Sequence, residues 1–104
     1  MRIIAGKLKG STLHIPKDKT TRPLKDLARE SIFNLLTHSK KISLQLEQSN
    51  ILDLYAGTGS FGLECLSRHA KSVCFIEKKK DVVEILKKNI EKLKVKNKIK
   101  IFFN

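Results

Sequence analysis

Two carboxylates, Asp53 and Glu77, bracket a glycine turn, Tyr55-Ala56-Gly57-Thr58-Gly59-Ser60-Phe61-Gly62, with the spacing G-x-G-x-x-G. Glycine at such a turn admits φ > 0 and lets the backbone approach a ligand, and a helix starting there offers unpaired N–H groups. Glu77 lies 20 residues beyond Gly57 at the end of an apolar run, where an acid accepts hydrogen bonds from ribose hydroxyls. Asp53 stands four residues before Gly57, at the mouth of the same crevice. A pyrophosphate there meets like charge, whereas an ammonium or sulfonium is attracted. Asp53, Tyr55, Ala56, Gly57, Thr58, Gly59 and Glu77 are therefore read as a cofactor site, with S-adenosyl-L-methionine favoured over a nicotinamide dinucleotide.

Those residues need strands and helices to hold them. Ile51-Leu52-x-Leu54-Tyr55 is short and β-rich and stops at the glycines, as a buried parallel strand does. Phe61, Leu63, Cys65 and Leu66 predict a short helix ending near Arg68-His69, and Val73 to Glu77 a second strand. Val82, Ile85, Leu86, Ile90 and Leu93 recur at helical spacing among lysines, and Ile99-Lys100-Ile101-Phe102-Phe103 predicts a third strand. Strand, helix, strand, helix, strand implies an α/β, Rossmann-like half: three parallel strands in the order 3-2-1 with right-handed crossovers.

Upstream, residues 2 to 15 alternate and turn at Gly6 and Gly10, which predicts a β-hairpin. Its charges Arg2, Lys7 and Lys9 are all basic, as suits an arm laid on a phosphate backbone; lysine protection of a sheet edge is the plainer use. A polar loop through Arg22-Pro23 leads to a helix with Leu24, Leu27, Ala28, Ile32 and Leu35 as its inward stripe. Arg22, Arg29, Glu30 and Asn34 fall off that stripe, free to meet RNA, cofactor or the glycine turn. Residues 38 to 50 are polar with a few apolar anchors, the expected seam between an N-terminal extension, 1–45, and a cofactor-binding unit, 46–104.

The 104 residues suffice for one domain with a modest core. A net charge of +12, from 22 basic and 10 acidic residues, favours a polyanionic partner, with no apolar segment long enough to favour a membrane. Cys65 and Cys74 lack metal spacing and read as reduced, buried small hydrophobes; no metal is expected. The first residues are too short an apolar stretch for a secretory signal, so a cytoplasmic location is expected.

The stretch Leu52 to Arg68, together with Arg2-Ile3-Ile4-Ala5-Gly6 and Arg22-Pro23 through Arg29-Glu30-Ser31-Ile32-Phe33-Asn34, resembles the bacterial 16S rRNA guanine-N2 methyltransferase family, over the N-terminal half of such an enzyme. The resemblance implies a partial class I methyltransferase fold behind a β-hairpin and helix, S-adenosyl-L-methionine as cofactor, and 16S ribosomal RNA or the assembling small ribosomal subunit as partner. It also implies that His69 stands where the family has a C-capping glycine. The family holds guanine in an Asn/Asp-Pro-Pro-Phe/Tyr loop after a fourth strand; the prolines here are Pro16 and Pro23 alone. The expectation is a truncated enzyme, inactive alone, either marginally folded or self-associated through an open sheet edge at its first strand. The alternatives are a non-catalytic basic RNA-binding module and an NAD-binding Rossmann domain.

Overall fold

The structure is a computed structural model, and it describes residues 1–15, 26–38, 46–54 and 56–103. Three strands, β1 (Asn50–Asp53), β2 (Ser72–Glu77) and β3 (Ile99–Phe103), form one parallel sheet in the order β1-β2-β3. This is the expected 3-2-1 arrangement. Ile51 pairs with Val73 and Val73 with Ile99, so the three strands share one register row. Ahead of β1 lies α1 (Asp26–His38); α2 (Ser60–Ser67) and α3 (Lys80–Leu93) make the crossovers.

Both crossover helices cover one face of the sheet. Val73 and Phe75 are buried there with Leu63, Leu66, Leu86, Ile90 and Leu93. Gly62 permits the close seat of α2 on β2, because a Cβ on it would lie 2.4 Å from the Phe75 ring. The opposite face is not covered by any described element: Leu52 and Phe102 are 59% and 55% exposed. Cys74, on that face, is only half-buried, whereas Cys65 is buried as expected.

The helix α2 ends as the capping argument requires. His69 takes φ 76°, its N–H reaches Leu66 O at 3.0 Å, and the Ala70 N–H reaches Cys65 O at 3.0 Å, the paired bonds of a Schellman motif. His69 thus does the work of a glycine, with the strain of a Cβ in the left-handed region.

The expected hairpin is present in reduced form. A single antiparallel bridge joins Arg2 to Thr12, and bonds from Ile3 N–H to Ser11 O and from Leu13 N–H to Met1 O close the arm around a tight turn. No continuous ladder forms, because the arm spends its remaining backbone groups on the helices. The Ile4 and Ala5 N–H groups donate to Glu64 at 2.8 and 3.1 Å, and the Leu8 N–H to Ser67 Oγ at 2.9 Å.

The inward stripe of α1 differs from expectation by one residue, a rotation of about 100°. Ile32 and Leu35 are exposed, while Arg29 and Phe33 are fully buried. The Phe33 ring stacks on Phe61 with centroids 5.0 Å apart, and the Arg68 guanidinium lies over Phe33 at 4.4 Å. The rotation gives the Phe33 ring a stacking partner in Phe61 and brings the Arg29 guanidinium beside the Glu64 carboxylate. Leu24 and Leu27 fall outside the described side chains, as does most of the 38–50 seam.

Candidate cofactor site

Asp53 closes β1 and Glu77 closes β2, so parallel pairing brings both carboxylates to the same, C-terminal edge of the sheet, on strands about 4.8 Å apart. Both are half-buried. Between them the chain leaves β1 through the turn. The Ala56 N–H donates to Ile76 O at 3.2 Å, holding the turn against β2, and the Gly59 N–H donates to Ala56 O at 2.9 Å, closing it.

Gly57 and Gly59 have φ of 55° and 88°, the region that glycine enters without penalty. Their surroundings differ. A Cβ on Gly59 would strike the Leu86 side chain at 2.4 Å, whereas one on Gly57 meets nothing within 4 Å. Gly59 is therefore pressed into the core while Gly57 faces open space, which leaves backbone on the crevice side bare for a ligand. Gly59 is the N-cap of α2 and supplies no side-chain cap, so the first N–H groups of the helix also face the turn. Tyr55 falls outside the described residues. Among the described residues, Asp53, Ala56, Gly57, Thr58, Gly59 and Glu77 are brought together on one edge, a set that fits a ligand with ribose hydroxyls at one end and a cation at the other.

Two buried polar groups missed in the sequence reading support this edge. Asn89, on α3, is fully buried. Its Nδ2 donates to Thr58 O at 2.9 Å and to His14 O at 3.1 Å, and its Oδ1 accepts the His14 N–H at 2.6 Å. The signal was present: positions 82, 86, 89 and 93 form one stripe, and a polar residue on it needs buried partners. Glu64, on α2, is likewise fully buried. It accepts from Arg68 Nε at 3.0 Å, lies 3.5 Å from Arg29 Nη1, and holds the arm. Nearby, the Cys65 thiol is pushed up to about 12, by burial first and then by the Asp53 and Glu64 charges, against the opposing pull of Arg68.

The residues expected to meet RNA divide. Arg2, Lys7 and Lys9 sit exposed on the arm. Arg22 lies outside the described residues. Arg29 is not on the surface as expected: its side chain is buried and donates to Arg2 O as well as facing Glu64, because the rotation of α1 turns it inward. No group of acidic, histidine and cysteine side chains suited to a metal occurs among the described residues.

A three-stranded parallel sheet with helices crossing over one face and a glycine turn at the end of its first strand is the first half of a class I methyltransferase fold. The chain belongs to the family described as Conserved hypothetical protein 95, which matches residues 1–104. It is 43% identical to the ribosomal RNA small subunit methyltransferase D of Haemophilus influenzae over 94 residues, covering 90% of this chain and 46% of that protein. The solved Escherichia coli protein yhhF superposes with a TM-score of 0.83 at 34% identity, over all of this chain and 52% of that one. An RNA methyltransferase of Salinibacter ruber, solved with S-adenosyl-L-homocysteine, shares the fold at a TM-score of 0.65 and 17% identity, over 80% of this chain and 50% of that one. The chain spans about half the length of the curated relatives it matches.

Proposed function

We propose that this chain is the S-adenosyl-L-methionine-binding half of a methyltransferase that acts on guanine N2 of 16S ribosomal RNA. The observation that carries the reading is the bare Gly57 backbone set between two strand-end carboxylates. In it the backbone of residues 56–59 meets the cofactor, Asp53 attracts the methionine ammonium, and Glu77 accepts from the ribose hydroxyls. The bound cofactor supplies an electrophilic methyl group. The like charge that Asp53 presents to a pyrophosphate weighs against a nicotinamide dinucleotide, and the names of the curated relatives favour ribosomal RNA as substrate.

The arm, through Arg2, Lys7 and Lys9, is the proposed RNA contact, together with Arg22. With no Pro-Pro pair among its 104 residues, the chain has nothing matching the loop that orients guanine in the family it resembles. It is therefore expected to bind cofactor without transferring the methyl group unaided. Calorimetric titration of the chain, Asp53→Ala and Glu77→Ala with S-adenosyl-L-homocysteine tests the site: each substitution is expected to weaken binding roughly tenfold. Equal affinities in all three would remove the assignment. A purely RNA-binding module would instead bind RNA with the same affinity whether or not the cofactor is present.

A further inference from the structure

We infer that Asn89 is a positioning residue that ties the glycine turn to the amino-terminal arm, so that cofactor in the turn and RNA on the arm strengthen each other's binding. The inference rests on the reading of the two sites proposed above. Asn89 is the only described side chain given hydrogen bonds to both segments. It spans 75 residues of sequence to His14 and 31 to Thr58.

The chemistry of the side chain fits that task. One carboxamide offers an acceptor and two donors. Here the acceptor and one donor match both halves of the His14 backbone, and the same amide nitrogen also reaches the Thr58 carbonyl. Leucine at this position makes none of these bonds. Aspartate keeps the acceptor and turns the donor end into an oxygen aimed at two carbonyls. Because Asn89 is fully buried, a segment that leaves it gives up hydrogen bonds made away from water. Whatever holds the Thr58 carbonyl in place therefore favours the docked arm, and whatever holds the arm favours the closed turn. Linkage requires the effect to be reciprocal.

Amide hydrogen exchange, followed by NMR on the whole 104-residue chain, tests this without an activity assay. His14→Pro deletes the N–H that Asn89 accepts and has no other bond to the turn among those the structure gives. Protection of the Gly59 and Leu63 amides is expected to fall roughly fivefold relative to β2 amides. It is expected to fall no further when His14→Pro is added to Asn89→Asp. Unchanged protection at Gly59 in His14→Pro overturns the inference.

Should His14→Pro loosen β2 as well, Asn89→Asp decides alone. Acidification, by protonating the new carboxylate, restores one donor, and protection is expected to return at residues 13–14 and 59 together; recovery at one without the other overturns the coupling. S-adenosyl-L-homocysteine added to the wild-type chain then separates the two readings. Protection gained at Gly59 and His14 supports the inference, and gain at Gly59 alone overturns it. If neither gains, the cofactor reading fails, and the ligand-free exchange results decide the coupling.

Discussion

Glu64 shows what a single buried carboxylate organises. It accepts two backbone N–H groups of the arm and faces two arginines. Glu64→Gln leaves the Arg29 guanidinium buried beside a neutral group, a loss of about 3–5 kcal/mol. Thermal unfolding is expected to move down by more than about 10 °C, and Arg29→Met in the same chain to recover part of the loss; no shift would deny Glu64 this role. Cys65 makes a different prediction. A thiol whose folded pKa, about 12, stands above its ordinary value of 9.0 adds stability that is whole below pH 9 and is lost as pH rises from there through 12. Denaturant titrations of the wild type and Cys65→Ala are expected to differ by an amount that shrinks across that window, and a constant difference would count against a buried neutral thiol. At pH 8 a thiol reagent is expected to label Cys74 well before Cys65.

At the scale of the element, the sheet and its crossovers were legible because each strand is a short apolar run bounded by glycine, lysine or an acid, and α3 carries a clear stripe. The placement of Asp53 and Glu77 on one edge of the sheet was legible for the same reason, since both end their strands. What was not legible depended on partners far away in sequence. The face that α1 buries is chosen by Phe61 and Glu64, so helical spacing alone selected Ile32 and Leu35 instead. The arm was read as a hairpin because alternation implies a ladder, yet its N–H groups go to side chains about 60 residues on. The exposed side of β1 carries a prediction here. Leu52 and Leu54 are 59% and 56% exposed beside a strand edge that no other described strand pairs with, an arrangement that invites pairing with another copy. Sedimentation of the chain is expected to show concentration-dependent association that Leu52→Lys reduces; a monomer at all concentrations would refute it.

At the scale of the whole molecule, +12 of charge on 104 residues predicts an RNA affinity that falls steeply with salt, because each phosphate neutralised releases counterions. If Lys7 and Lys9 are contacts, Lys7→Ala/Lys9→Ala is expected to lower the slope of log affinity against log salt by roughly 1.5 to 2. An unchanged slope would move the contact surface elsewhere.

The fastening of the arm also sets an order of events during synthesis. Residues 1 to 15 are made before the side chains that dock them: Arg29 comes 27 residues after Arg2, and Glu64, Ser67, Asn89 and Lys92 follow their partners in the arm by 59 to 80 residues. Closing loops of that length is slow compared with forming α2 or α3. The arm is therefore the last piece to lock: Ile3→Val and Leu13→Ala are expected to speed unfolding while leaving the folding rate nearly unchanged. In the growing chain the basic segment stays undocked until α3 has emerged, so the surface proposed for RNA takes shape only once the body that carries the glycine turn is already built.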